Sequence, residues 1–216
     1  MSPVGRWSLR AKGPHSARSS HCIAATKHGQ LIVYGGEHKP RIPVDAAIRQ
    51  DGTDVVRGSV HIVDLGKRNE SIGDRLKGWT TLNPSSTTTG AVVAGDKDLD
   101  APDARVGPSM AVTNDAVYLW GGRGGVDMAP LDHPQAGVWR GQLVHAGTGS
   151  VVWDRLAAEG GPEPRSYHTA VILDVSPGSR LIHLGLGPIP DCRGVGQNVY
   201  PRWVSGDWPL GHPPFV

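Results

Sequence analysis

Three stretches of the chain share one alternation of polar and apolar positions. They are "ARSSHCIAATKHGQLIVYGG" at 17–36, "ARVGPSMAVTNDAVYLWGG" at 104–122 and "PRSYHTAVILDVSPGSRLIHLG" at 164–185. Each reads Arg, a short polar link, an apolar run, a turn, a second apolar run and Gly. Short β-branched and aromatic runs bounded by Gly, Asn and Asp predict strands. The first two stretches end in Gly-Gly, where the chain can turn without a Cβ in the way. The third departs, ending in Gly185-Leu186-Gly187. A Trp-Leu element precedes each stretch: Trp7 with Leu9, Trp79 with Leu82, Trp153 with Leu156. The Trp residues stand 72 and 74 positions apart.

Further strands are expected at "GSVHIVDL" (59–66) and "GVWRGQLV" (137–144). The repeating unit is then four strands. In the first unit they fall near 20–26, 31–35, 59–65 and 79–82. In the second they fall near 109–113, 117–121, 138–144 and 151–156. A lone four-stranded sheet cannot bury both faces, but a radial stack of such sheets can, which is the logic of a β-propeller. The expected fold is therefore all-β, an incomplete propeller of about three blades at 18–82, 105–156 and 165–187, the last degenerate. The outer strand of a preceding blade is expected at 6–10. Residues 188–216 read as an irregular tail rich in Pro, Gly and Trp, with Pro-rich ends that disfavour a strand. Two full blades fall short of the roughly four to eight that close a propeller. The expectation is a fragment or truncated product, or subunits that complete each other's ring.

Composition agrees with many short strands: of 216 residues, 30 are Gly and 18 Pro. Lys and Arg number 22 against 20 Asp and Glu, with no basic cluster, which argues against nucleic acid. Two Cys, Cys22 and Cys192, make no disulfide framework and no metal knuckle. "MSPVGRWSLR" lacks the apolar core of a leader, and no run is long enough to span a membrane. A soluble cytoplasmic protein is the expectation. There is no phosphate-binding loop, since "GGRGG" lacks its Lys; there is also no nucleophile elbow and no H-E-x-x-H.

Arg, an apolar pair of strands, Gly-Gly and a later Trp-x-x-Leu together resemble the kelch repeat. Its usual unit of about 50 residues is exceeded here. The excess fits insertions at 40–57, 67–77 and 84–103. More narrowly, "YGGEHKPRIPVD" (34–45) with the "HIVDL" strand, and "VGPSMAVTNDAVYLWGGR" (106–123), resemble nitrile-specifier kelch proteins. That resemblance implies action on glucosinolate breakdown products with Fe(II) held by Glu-x-x-x-Asp-x-x-x-His. The spacing does not occur: Glu37 is followed by Arg41 and Glu163 by Tyr167. A copper-radical oxidase on a similar scaffold would need paired Tyr and His ligands and a cross-linking Cys. Of the four Tyr, two lie mid-strand.

Strand order places the residues before each first strand and after each second strand at one end of the blades. Arg18, Arg105 and Arg165 belong to the first group. Glu37, His38, Arg41 and Arg123 belong to the second. This rim is where ligand contacts are expected. For the three repeated Arg the structural reading is that they tie blades together through backbone carbonyls. His21 and His168 are expected to plug the first strand by a hydrogen bond, and Asp45 to cap a turn. Glu37 and His38, adjacent on a strand, are not expected to share a metal. Arg123, in a Gly-rich loop, is the candidate grip for a small anion. The expected function is a binding module for a protein partner, non-catalytic and without cofactor; the alternative is the specifier-like, iron-dependent role.

Overall fold

The alternation is realised as strands throughout. The computed structural model describes residues 5, 11–12, 17–44, 56–65, 77–85, 101–113, 115–132, 137–144, 149–156, 163–175, 178–184 and 207–209. The expected strand at 6–10, Asp45, Cys192 and the Gly185-Leu186-Gly187 turn lie outside them, as does most of each insertion. In chain order the strands are β1 (Ala11–Lys12), β2 (Cys22–Ala25), β3 (Gln30–Tyr34), β4 (Glu37–Lys39), β5 (Ile42–Pro43), β6 (Val60–Asp64), β7 (Lys77–Gly78), β8 (Thr80–Pro84), β9 (Ser109–Val112), β10 (Ala116–Trp120), β11 (Arg123–Gly124), β12 (Ala129–Pro130), β13 (Val138–Val144), β14 (Ser150–Leu156), β15 (Thr169–Val175), β16 (Gly178–Leu184) and β17 (Asp207–Pro209). No helix occurs among the described residues, so none there is long and apolar enough to cross a membrane.

The antiparallel meander β2-β3-β6-β8 is one blade and β9-β10-β13-β14 the next. A third sheet, β15-β16-β17, begins another. The fold is all-β, an incomplete β-propeller. In the tail, expected to be irregular, Asp207–Pro209 adds a short strand to β16. Its Pro209 stands at the strand end, where a missing N–H is tolerated.

The blades are not wholly separate sheets. β8 and β14, their outermost strands, pair in parallel at Asn83–Ser150 and Pro84–Val151. Ser85 reinforces the junction, its N–H on the Val151 carbonyl and its Oγ on Ser150 Oγ. An outer strand otherwise exposes a row of unpaired backbone groups. Pairing the two edges satisfies part of that row and makes one eight-stranded sheet. Its end strands β2 and β9 lie against each other, so the sheet nearly closes.

The main core fills the space between the two blades: Ile32, Tyr34, Val60, Ile62 and Leu82 face Met110, Leu119, Trp139, Leu143, Val151 and Trp153. A second cluster of Ala111, Trp120 and Val138 packs against Ala170 and Ile172 of the third sheet. The innermost strands show the period of two that radial stacking demands. Residues 22, 109 and 169 are equivalent, each pairing with the last apolar residue of the following strand: Tyr34, Trp120 and Leu184. Met110 and Val112 pack toward the first blade, and Ala170 and Ile172 toward the second. Cys22 and Ala24 pack toward the second blade, and Ala111 toward the third.

The Trp-Leu elements behave unequally. Trp153 is buried, with Nε1 donating to the Gly58 carbonyl at 2.8 Å across the two blades. In the first blade Leu82 takes the core place and Trp79, just before β8, is only half-buried. Gly141 makes the difference: a Cβ there would sit 2.8 Å from the Trp153 ring.

Candidate functional site

The residues leading into each innermost strand repeat in conformation as well as in sequence. Ser20, Gly107 and Tyr167 are equivalent, and all three are left-handed, with φ of 56°, 62° and 57°. For a non-glycine residue this backbone costs about 1–2 kcal/mol, so surrounding bonds must hold it. They do: the Gly107 N–H donates to the Ser20 carbonyl and the Tyr167 N–H to the Gly107 carbonyl, each at 2.8 Å. A chain of backbone hydrogen bonds thus runs from blade to blade at the inner end of the strands.

A second set of bonds repeats beside it. The Gly36 N–H donates to the Arg105 carbonyl, and the Gly122 N–H to the Arg165 carbonyl. Here the expected role of the repeated Arg is corrected. The main-chain carbonyls of Arg105 and Arg165 join the blades, whereas the side-chain bonds described for all three fall within their own repeat. Arg18 Nη1 reaches the Gly35 carbonyl at 3.2 Å, and Arg105 Nη1 reaches the equivalent Gly121 carbonyl at 2.8 Å. Arg165 Nε holds the Glu163 carbonyl. The geometric reason lies in division of labour: the left-handed residue two positions on turns its own carbonyl to the next blade, Ser20 to Gly107 and Gly107 to Tyr167.

Arg105 is the deepest of these, 1% exposed. Its guanidinium meets the buried carboxylate of Asp132, which also accepts the Gly121 N–H at 2.9 Å and Arg155 Nη2 at 3.1 Å. Arg155 lies 4.0 Å above the Trp139 ring. Asp132 carries no sequence signal as a single Asp beyond the Gly-rich loop, and was missed.

His168 plugs its strand as expected. It is buried, edge-on to Trp120, with Nε2 2.7 Å from Ser109 Oγ. This Ser–His pair does not form an accessible nucleophile, since Ser109 is itself buried. Ser109 Oγ also donates to the Trp120 carbonyl, as Cys22 Sγ does to Tyr34, which leaves Nε2–H to donate to Ser109. Burial first, and then the Arg165 charge, push the His168 pKa down to about 4. The unfolded chain therefore takes up a proton below pH 6.5 that the folded chain refuses until about pH 4. Stability is full above this window, falls through it and levels off below it. At about 1.36 kcal/mol per pKa unit, the loss by pH 5 is about 2 kcal/mol. Urea unfolding at pH 7.5 and 5.0 checks this: the stability difference between the native chain and His168→Gln should shrink by about that amount at the lower pH. An unchanged difference would refute it. His21, by contrast, is exposed.

The axial rim gathers side chains from all three sheets. Glu37 opens β4 and Arg123 opens β11, each bridged back to the residue three positions before an innermost strand: Ser19 for Glu37, Val106 for Arg123. Arg123 crosses to the third blade, with Nε and Nη2 on Ser166 Oγ at 3.2 and 2.8 Å, and lies 5.1 Å over the Tyr167 ring. The Tyr167 hydroxyl, on a ring 58% exposed, meets Ser20 Oγ at 3.4 Å. Ser20 Oγ donates to Glu37 Oε1, and the Arg41 N–H donates to Glu37 Oε2 at 2.7 Å. Glu37, Ser20, Tyr167, Arg123 and Ser166 form one arc with an anion at one end and a cation at the other. Arg41 contributes its backbone, with an exposed side chain; His38 turns to the Ala17 carbonyl. Of the six candidates, Glu37 and Arg123 join the arc directly. Ser20, Ser166 and Tyr167 were not singled out, although their offset of one and two residues from the repeated Arg was visible.

Iron of the specifier type finds no fitting donor set among the described residues. No group of three or more His, Cys, Asp or Glu stands close enough to hold a metal. Glu37 is engaged by Ser20 and Arg41, and Asp132 by two guanidiniums.

No family model and no curated protein matches this chain. Among solved structures, one titled "Structure of YjhT" aligns over 84% of this chain at 17% identity and a TM-score of 0.44. The chain spans 42% of that protein's length.

Proposed function

We propose that this chain is a kelch-type propeller binding module, non-catalytic as it stands, whose axial rim takes an acidic side chain of a protein partner on Arg123. The observation that carries the reading is the convergence of Arg123, Ser166, Tyr167, Ser20 and Glu37 from three sheets onto one half-buried arc capped by the exposed Tyr167 ring. Ser166 and the Tyr167 ring hold the guanidinium in place before any ligand arrives, which lowers the ordering cost of binding. Its Nη1 edge is left for a carboxylate. Glu37 sets an opposite pole, so a partner that pairs an acid with a nearby donor is favoured. The hairpins β4–β5 and β11–β12 rise from the same rim and supply contact area. A specifier-like activity would use the same Glu37–Pro43 loop, but no observation favours it.

Selection of peptides from a random display library on the immobilised chain tests this reading. Acidic residues should be enriched, and Arg123→Gln should weaken the selected peptides roughly tenfold, the size of one charge-assisted hydrogen bond. Peptides without acid enrichment, or binding indifferent to Arg123→Gln, would overturn it.

A further inference from the structure

We propose that a second copy of this chain docks head to tail on the first, the third blade of each against the first blade of the other, so that two copies complete one ring. The argument rests on the joint that the chain already makes twice within itself. At each internal joint an innermost strand presents alternate residues to the next: Cys22 and Ala24 toward the second blade, Ala111 toward the third. The next positions in each series are exposed. Ile23, equivalent to the buried Met110, is 54% exposed on the first blade. Val171, equivalent to the buried Ala111, is 39% exposed on the third. Ile23 and Val171 thus occupy, on the two outer faces, the positions that are buried contacts at the internal joints.

The polar groups at the two ends also match. Ser109 meets His168 across the joint between the second and third blades. Thr169 stands in the place of Ser109, and His21 in the place of His168. Docked in the same register, the Thr169 hydroxyl of one copy would meet His21 of the other and repeat that contact. The axial hydrogen-bond chain has matching ends as well. Among the described residues it begins with Ser20 and stops at Tyr167. The Ser20 N–H of a second copy would donate to the Tyr167 carbonyl of the first, the bond that Gly107 makes to Ser20. Neither end matches itself, so each copy's third blade meets the other's first, and a twofold axis relates the two contacts. With three innermost strands among the described residues of each chain, two copies place six around the axis, within the roughly four to eight of closed propellers. The partner copy then supplies a second arc of Glu37, Ser20, Tyr167 and Arg123 to the same axial face.

Size-exclusion with light scattering on the full chain should read twice its 22.9 kDa. Ile23→Arg alone and Val171→Arg alone should each read as a monomer, because both contacts of the ring use both faces. Their equimolar mixture should recover a pair, since each keeps the face that the other has lost. A monomeric native chain would overturn the proposal, as would a dimer that survives either single substitution or variants that fail to recombine. Far-UV circular dichroism guards against misfolding, and any variant with an altered spectrum is replaced by Ile23→Ser or Val171→Ser.

Discussion

Asp132→Asn should destabilise the folded chain by about 3–5 kcal/mol, the usual cost of leaving one partner of a buried ion pair behind. Asp132 answers two guanidiniums and one backbone N–H at once. Arg105, 1% exposed, has no route to water. The amide would keep the shape and lose the charge, and its NH2 would face one of the two guanidiniums, Arg105 or Arg155, as a donor. Urea denaturation measures the effect, and a cost below about 1 kcal/mol would show that the carboxylate is dispensable. The double variant Arg105→Met with Asp132→Leu should recover much of the loss, because removing both charges removes the desolvation cost with them. The same joint supports the Gly121 turn, so the second blade should be the part most disturbed.

Trp153→Ala should cost a similar amount, about 3–5 kcal/mol, through a different cause. The indole is buried edge-on to Tyr34 and Trp139, with ring centroids 5.8 and 6.4 Å away. Its removal opens a cavity between two blades that are also bonded at their outer edge, so the walls cannot collapse freely. It also leaves the Gly58 carbonyl without its donor. Trp153→Phe should recover most of the packing but not that hydrogen bond. Thermal unfolding of the two variants separates the contributions, and equal losses for Phe and Ala would mean that packing is a minor part.

The strands of the first two blades were legible because their residues must alternate between faces that are both buried, and because Gly-Gly ends each second strand. The predicted limits of β13, for example, agree with Val138–Val144. The rim was legible from strand order, which brings Glu37 beside Ser19 and Arg123 beside Val106. Contacts without local periodicity were hidden. Asp132 acts at long range from an irregular segment, and the β8–β14 pairing joins strands that the meander alone would leave as separate edges. The exchange of roles between Trp79 and Leu82 depends on a glycine in a neighbouring strand. The blade-to-blade backbone bonds were hidden for another reason: they pass through left-handed Ser20 and Tyr167, residue types that do not advertise that conformation.

The outer junction between β8 and β14 gives the molecule a seam. The first two blades belong to one hydrogen-bonded sheet, whereas the third is a sheet of its own. It leans on the second blade through Ala170, Ile172 and the His168 plug. The chain is thus built as a block and a leaf. The Tyr167–Gly107 and Gly122–Arg165 backbone bonds join the two, but no described strand pair does, so parting them would leave every ladder of the block intact. Tyr167 and Ser166 sit on the leaf and Arg123 on the block, so the grip proposed for a ligand doubles as the latch between them.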